Sequence, residues 1–105
     1  MREVRTRDNF RKGVDNIHTY IAYKFGISHA YEFEIELARY VTLLSNFPNM
    51  GRITKNKKLF SVRYKQNRIY YIFDKRKIVL INIIESIRLK DSAWFAKEKN
   101  YDIVV

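Results

Sequence analysis

Hydrophobic residues in this chain follow two different rhythms, one on each side of residue 50. In the first half they recur every three or four positions. Phe10, Val14, Ile17, Ile21 and Phe25 step by 4, 3, 4 and 4 and so share one helical face. Asp8 stands where a side-chain oxygen can cap that helix, and Gly26 where a left-handed residue can end it, with Ile27 as the apolar residue beyond. Ser28 is placed to cap a second helix from about His29 to Asn46, with Ala30, Phe33, Leu37, Tyr40 or Val41, Leu44 and Phe47 along its inner stripe. So short a connection predicts an antiparallel helix hairpin over 8–47. Pro48 stops the second helix and Gly51 marks the turn out of it.

From Leu59 the period becomes two. Phe60, Val62 and Tyr64 alternate with Ser61, Arg63 and Lys65. After a turn near Gln66-Asn67, Ile69, Tyr71 and Phe73 alternate with Arg68, Tyr70 and Ile72. A second turn at Asp74-Lys75-Arg76 leads into Ile78-Val79-Leu80-Ile81-Asn82-Ile83-Ile84, apolar on both faces as a covered central strand would be. This predicts an antiparallel meander over 58–85. Residues 2–7 offer one more short strand, in which only Val4 is a good strand former.

Neither layer can hide its apolar side alone, so the hairpin must cover the sheet. Phe33, Leu37 and Leu44 are expected to pack on Ile69, Tyr71 or Ile81. The other sheet face needs cover as well, for which Trp94, Phe95 and the final Ile103-Val104-Val105 are candidates. The expected fold class is α+β: one domain over 1–105, a helix hairpin on a three- to four-stranded, mainly antiparallel twisted sheet, and a short C-terminal helix or tail over 86–105.

Composition narrows the chemistry. The 105 residues include 15 Phe and Tyr, enough for one packed core, and no Cys. A disulfide framework, a thiolate zinc site and a Cys nucleophile are therefore excluded, and a reducing cytoplasm fits. With two His in all, no metal-ligand spacing exists, and no cofactor is expected. No apolar run approaches the roughly 18 residues of a membrane span, and the N-terminus lacks a secretory apolar core. Charge is the strongest functional signal. The net charge is +10, and residues 51–77 alone hold 10 Lys and Arg against 1 Asp. A field so concentrated attracts nucleic acid or an acidic protein partner; its plainest alternative is a solvated surface that aids solubility.

Several segments together resemble the RelE/ParE toxin superfamily, its ParE side more closely. Asp15, Ile17 and Tyr20-Ile21-Ala22 are similar to the family's "D..I..YIA". Ala30 and Phe33 followed by Leu44, Phe47-Pro48 and Gly51-Arg52 are similar to its "A..F…L..FP..GR", and Arg68-Ile69-Tyr70-Tyr71 to its "RI.Y", with Arg88 after the next strand. The resemblance implies a toxin that either inhibits DNA gyrase or cleaves mRNA on the ribosome, neutralised by an acidic, partly disordered antitoxin.

Departures from the pattern separate those activities. RelE-like nucleases typically place a His or Tyr just after the last strand, where this chain reads Glu85-Ser86-Ile87-Arg88-Leu89-Lys90. ParE-like relatives often carry an Arg and a His where Asn82 and Glu85 stand. If the chain is a nuclease, Glu85 is the candidate base, Arg68 and Arg88 the phosphate holders, and the acid must come from elsewhere, such as Tyr101. The balance favours gyrase inhibition, with a ribosome-dependent mRNA endonuclease as the alternative. Arg52, Lys55, Lys57, Lys58, Arg63, Arg68 and Arg88 are the candidate contacts to target or antitoxin. Tyr64, Tyr70 and Tyr71 interleave with these cations and suit either strand packing or base stacking. His18 and His29 lie in helical pattern and are expected to be ordinary helix residues. Glu32, Glu34 and Glu36 spread around their helix and are expected to form a solvated face.

Overall fold

A computed structural model of the chain describes residues 1–56 and 58–85. Lys57, Arg88, Tyr101, Trp94, Phe95 and Ile103-Val104-Val105, with the expected tail over 86–105, lie outside the described residues. The chain runs through β1 (Glu3–Thr6), α1 (Asp8–Phe25), α2 (Ile27–Asn46), a 3-10 turn (Pro48–Met50), β2 (Arg52–Ile53), β3 (Phe60–Tyr64), β4 (Asn67–Phe73) and β5 (Lys77–Glu85). The strands form one sheet in the order β1-β5-β4-β3-β2. It has five strands, not three or four. The extra one is β2, whose Arg52 and Ile53 pair antiparallel with Ser61 and Phe60. Among the described strands only β1 runs parallel to its neighbour, with Val4 opposite Ile78 and Thr6 opposite Leu80. That pairing makes β5 a central strand, which explains its continuous apolar run.

The two helices lie on one face of the sheet. Phe10, Ile17, Phe33, Leu37 and Leu44 are buried there against Val62, Tyr64, Ile69, Tyr71, Ile78, Leu80 and Ile83. Val14, Ile21, Tyr40 and Val41 complete the seam as half-buried residues. At the hairpin's ends the helical stripes stop short: Phe25 is 64% and Phe47 59% exposed. A second apolar cluster, Leu59, Tyr70, Val79 and Ile81, is buried on the opposite face.

Several local details differ from expectation. Asp8 is the first helical residue, not the cap; its carboxylate pairs with Arg11 one turn on. Gly26 (φ 101°, ψ 160°) is the single residue between the helices, accepting from the Ala30 amide, so Ser28 lies inside α2 and caps nothing. Lys65, with φ 54°, begins the tight β3–β4 turn, and Asn67 is already paired in β4. Ile81 does not meet the helices. A bulge between Tyr70 and Tyr71 places Tyr70 opposite Asn82 but Tyr71 opposite Leu80, and the intervening Ile81 joins the far-face cluster. One extra residue shifts the period-two alternation, so Leu80 and Ile83 both reach the helix side.

Two glycines permit close contacts that larger residues would block. A Cβ on Gly13 would stand 2.7 Å from the Ile83 carbonyl, so α1 lies against the β5 backbone there. A Cβ on Gly51 would stand 2.2 Å from the Tyr71 hydroxyl. That hydroxyl donates to the Pro48 carbonyl at 2.5 Å and accepts from the Gly51 amide at 3.1 Å. Two separated pieces of sequence, Phe47-Pro48…Gly51-Arg52 and Arg68…Tyr71, thus meet at one buried phenol. The contact fixes where β2, and therefore Arg52, leaves the turn.

Candidate functional site

Strand register collects the basic side chains of the sheet. Residues directly opposite one another across strands share a face. Arg52 is opposite Ser61, Ser61 opposite Tyr70, and Tyr70 opposite Asn82. In the next row Arg63 is opposite Arg68, and Arg68 opposite Ile84. Both rows alternate with Val62, Ile69 and Ile83, which pack under the helices, so both lie on the face turned away from the hairpin. Arg52 and Arg63 are exposed and Arg68 is half-buried. Lys55 and Lys58 stand exposed in the loop joining β2 to β3, next to the Arg52 row. Five of the seven expected contact residues therefore occupy one continuous region.

Neither arginine in the second row is idle structurally. The Arg68 guanidinium donates to Ser61 Oγ at 3.0 Å, and Arg63 Nε donates to the Lys65 carbonyl at 3.2 Å. Among the described residues no acid pairs with Arg68. Lys65 turns the other way and pairs with Glu36 of α2.

Glu85 is on the other side. It is opposite Asn67, which is itself opposite Tyr64 of the helix-side core. Glu85 lines a cleft of about 500 Å³ with Tyr20, Phe25, Phe33 and Glu36. Arg68 and Glu85 therefore face opposite sides of the sheet. Strands β2, β3 and β4 contain no carboxylate and no histidine.

The tyrosines are structural. Tyr64, Tyr70 and Tyr71 are all buried, so none presents an open ring for base stacking. Burial pushes the Tyr71 hydroxyl up to about 12, opposed in part by the hydrogen bond from the Gly51 amide. Burial likewise raises Tyr40 and Tyr64, whose rings lie 4.6 Å apart. In the β4–β5 turn the amides of Arg76 and Lys77 hold the Asp74 carboxyl below its usual range.

The histidines and helix acids also have local partners. His18 Nδ1 lies 2.6 Å from Glu34 Oε2 and bridges the two helices, while His29 stands 3.9 Å from Glu32. With Glu36 on Lys65, each of the three α2 glutamates answers a different base. The helix is therefore more than the solvated acidic face that its spacing suggested. No helix among the described residues is long and apolar enough to cross a membrane.

Residues 4–88 match a family model described as the ParE toxin of the type II toxin–antitoxin system parDE. A solved structure of the chromosomal ParDE TA system from P. aeruginosa is similar in fold, with a TM-score of 0.70 at 12% identity. The similarity covers 81% of this chain and 96% of that one. Among curated proteins nothing matches.

Proposed function

The chain belongs to the ParE toxin family of type II toxin–antitoxin systems, and from that membership we propose that it disables DNA gyrase and is held inactive by a cognate antitoxin. The antitoxin is acidic and partly disordered, complementary to a surface whose 51–77 segment holds 10 cations against 1 anion. The contacts to target and antitoxin are Arg52, Lys55, Lys57, Lys58, Arg63, Arg68 and Arg88. The toxin works in the cytoplasm, where gyrase is, and needs no cofactor.

The separation of Arg68 from Glu85 by the thickness of the sheet carries the choice of gyrase over mRNA cleavage. Cleaving RNA without a metal requires a base at the attacking hydroxyl and an acid at the leaving oxygen, both within reach of the phosphate. Arginines can bind and polarise a phosphate, but they do not exchange protons near neutral pH. The strands carrying Arg52, Arg63 and Arg68 supply neither a carboxylate nor an imidazole. A phosphate held there finds no proton-exchanging carboxylate or imidazole on those strands.

The test is a supercoiling assay with purified gyrase, ATP and relaxed plasmid. The full-length protein should block supercoiling, and the antitoxin added in equal amount should restore it. Induced cells should show DNA damage and filamentation while transcripts stay whole. Unhindered supercoiling, together with cutting of transcripts within codons only when ribosomes are present, would establish the nuclease reading instead.

A further inference from the structure

The opposed pair Arg63 and Arg68 costs the fold something and gives it little. Like charges held directly across two strands repel. Nothing among the described residues offsets them: the ion pairs there engage Arg5, Arg11, His18, His29 and Lys65. Yet the two guanidiniums are braced, one on Ser61 Oγ and the other on the Lys65 carbonyl. Each brace uses a single N–H donor and leaves the rest of the planar fork for a ligand. Guanidiniums held in place, one exposed and one half-buried, with no acid beside them among the described residues, are an arrangement that recognises phosphate oxygens.

We propose that the sheet face bearing Arg52, Arg63 and Arg68 is a nucleic-acid backbone site, with phosphodiester groups bridging the opposed guanidiniums. Positions two apart along a strand are separated by about 7 Å, so the Arg52 and Arg63/Arg68 rows can engage neighbouring phosphates of one strand. Exposed Lys55 and Lys58 extend the track beyond the Arg52 row. Tyr70, between the rows, is 1% exposed and offers no stacking platform. Binding through phosphates alone carries no sequence information. The toxin reading makes the ligand the DNA that gyrase holds, so the protein grips enzyme and substrate together; the inference rests on that reading only for this choice of nucleic acid.

The full-length protein is titrated into a labelled DNA duplex and, separately, a single-stranded RNA of equal length, followed by anisotropy from about 50 to 200 mM salt. Binding to the duplex should weaken steeply with salt. The double variant Arg63→Gln/Arg68→Gln should lose roughly tenfold or more in affinity at the lowest salt. Its logarithmic salt slope should flatten by about 0.9 for each phosphate contact removed. Arg39→Gln, an exposed α2 position off this face, should keep the wild-type slope. Should the double variant fail a circular-dichroism check of folding, Arg52→Gln/Arg63→Gln changes two exposed residues and makes the same prediction. Preferential binding to the RNA supports the site and assigns its ligand to RNA. An unchanged slope in the face variants, an equal loss in Arg39→Gln, or binding to an acidic peptide but to neither nucleic acid overturns the proposal. The binding assay contains no gyrase. DNA binding without any block of supercoiling therefore sinks the gyrase reading alone, and a block by a protein with no nucleic-acid affinity sinks this inference alone.

Discussion

Tyr71 and Glu85 show how single residues take their meaning from what surrounds them. The Tyr71 phenol joins Pro48 and Gly51 to the sheet, and Phe in its place would leave the Gly51 amide without its acceptor. Tyr71→Phe should cost about 1–3 kcal/mol, measured by urea unfolding at neutral pH. Burial of the same phenol makes stability depend on alkaline pH. The folded-state value is raised from 10.0 to about 12, so the contribution is complete below pH 10 and is lost as pH rises toward 12. The unfolding midpoint of Tyr71→Phe should therefore fall less steeply than that of the wild type over this interval. Parallel slopes would mean that the phenol is not the titrating group. Glu85 is the corresponding test of mechanism. It lines the cleft beneath the hairpin on the sheet face opposite Arg68, and Glu85→Gln should leave toxicity within about twofold, whereas loss of a general base costs roughly 10²–10⁴-fold. Arg88→Ala should be the more damaging change if Arg88 contacts the target. A collapse of toxicity in Glu85→Gln alone would return the protein to the nuclease class.

At the scale of elements, the helix hairpin is held to the sheet by few but fully buried side chains. Leu44 is 0% exposed and belongs to the buried cluster between the hairpin and the sheet. Leu44→Ala should destabilise by roughly 2–5 kcal/mol; a loss under about 0.5 kcal/mol would place the residue at the surface. Gly13 sets two effects against each other. Alanine at an interior helix position gains about 1 kcal/mol of intrinsic propensity. Here its Cβ would stand 2.7 Å from the Ile83 carbonyl, and moving a helix off a central strand costs typically 1–3 kcal/mol. Packing should win, and Gly13→Ala should lower the melting temperature. A rise would mean that α1 can shift along β5 at little cost. The Gly13 contact is not legible in sequence, since a helical glycine reads there only as a weak position. Propensity describes one element at a time, and the obstruction lies in another.

Over the whole molecule the dominant feature is the division of charge between layers. The β2–β4 face carries Arg52, Arg63 and Arg68, while α2 sets Glu32, Glu34 and Glu36 against local bases. An acidic antitoxin segment meeting that basic face should associate quickly and weaken with salt. Neutralising Lys55, Lys57 and Lys58 should slow association and reduce the salt dependence in a surface-binding experiment; kinetics unaffected by the change would move the antitoxin elsewhere. Sequence alone determined the helix hairpin, the meander and the buried identity of β5, because periodicities of 3.6 and 2 are local and record which side of an element is dry. It also identified the basic quarter of the chain, since charge can be counted without coordinates. The five-stranded order, the bulge that turns Ile81 away from the helices and the clamp on Tyr71 were decided only by tertiary structure, for each depends on a partner distant along the chain. The same is true of the site. Arg52 and Arg63/Arg68 share a face, and Glu85 lies on the other, because pairing register fixes the side from which each residue projects, and register is set by all the strands together.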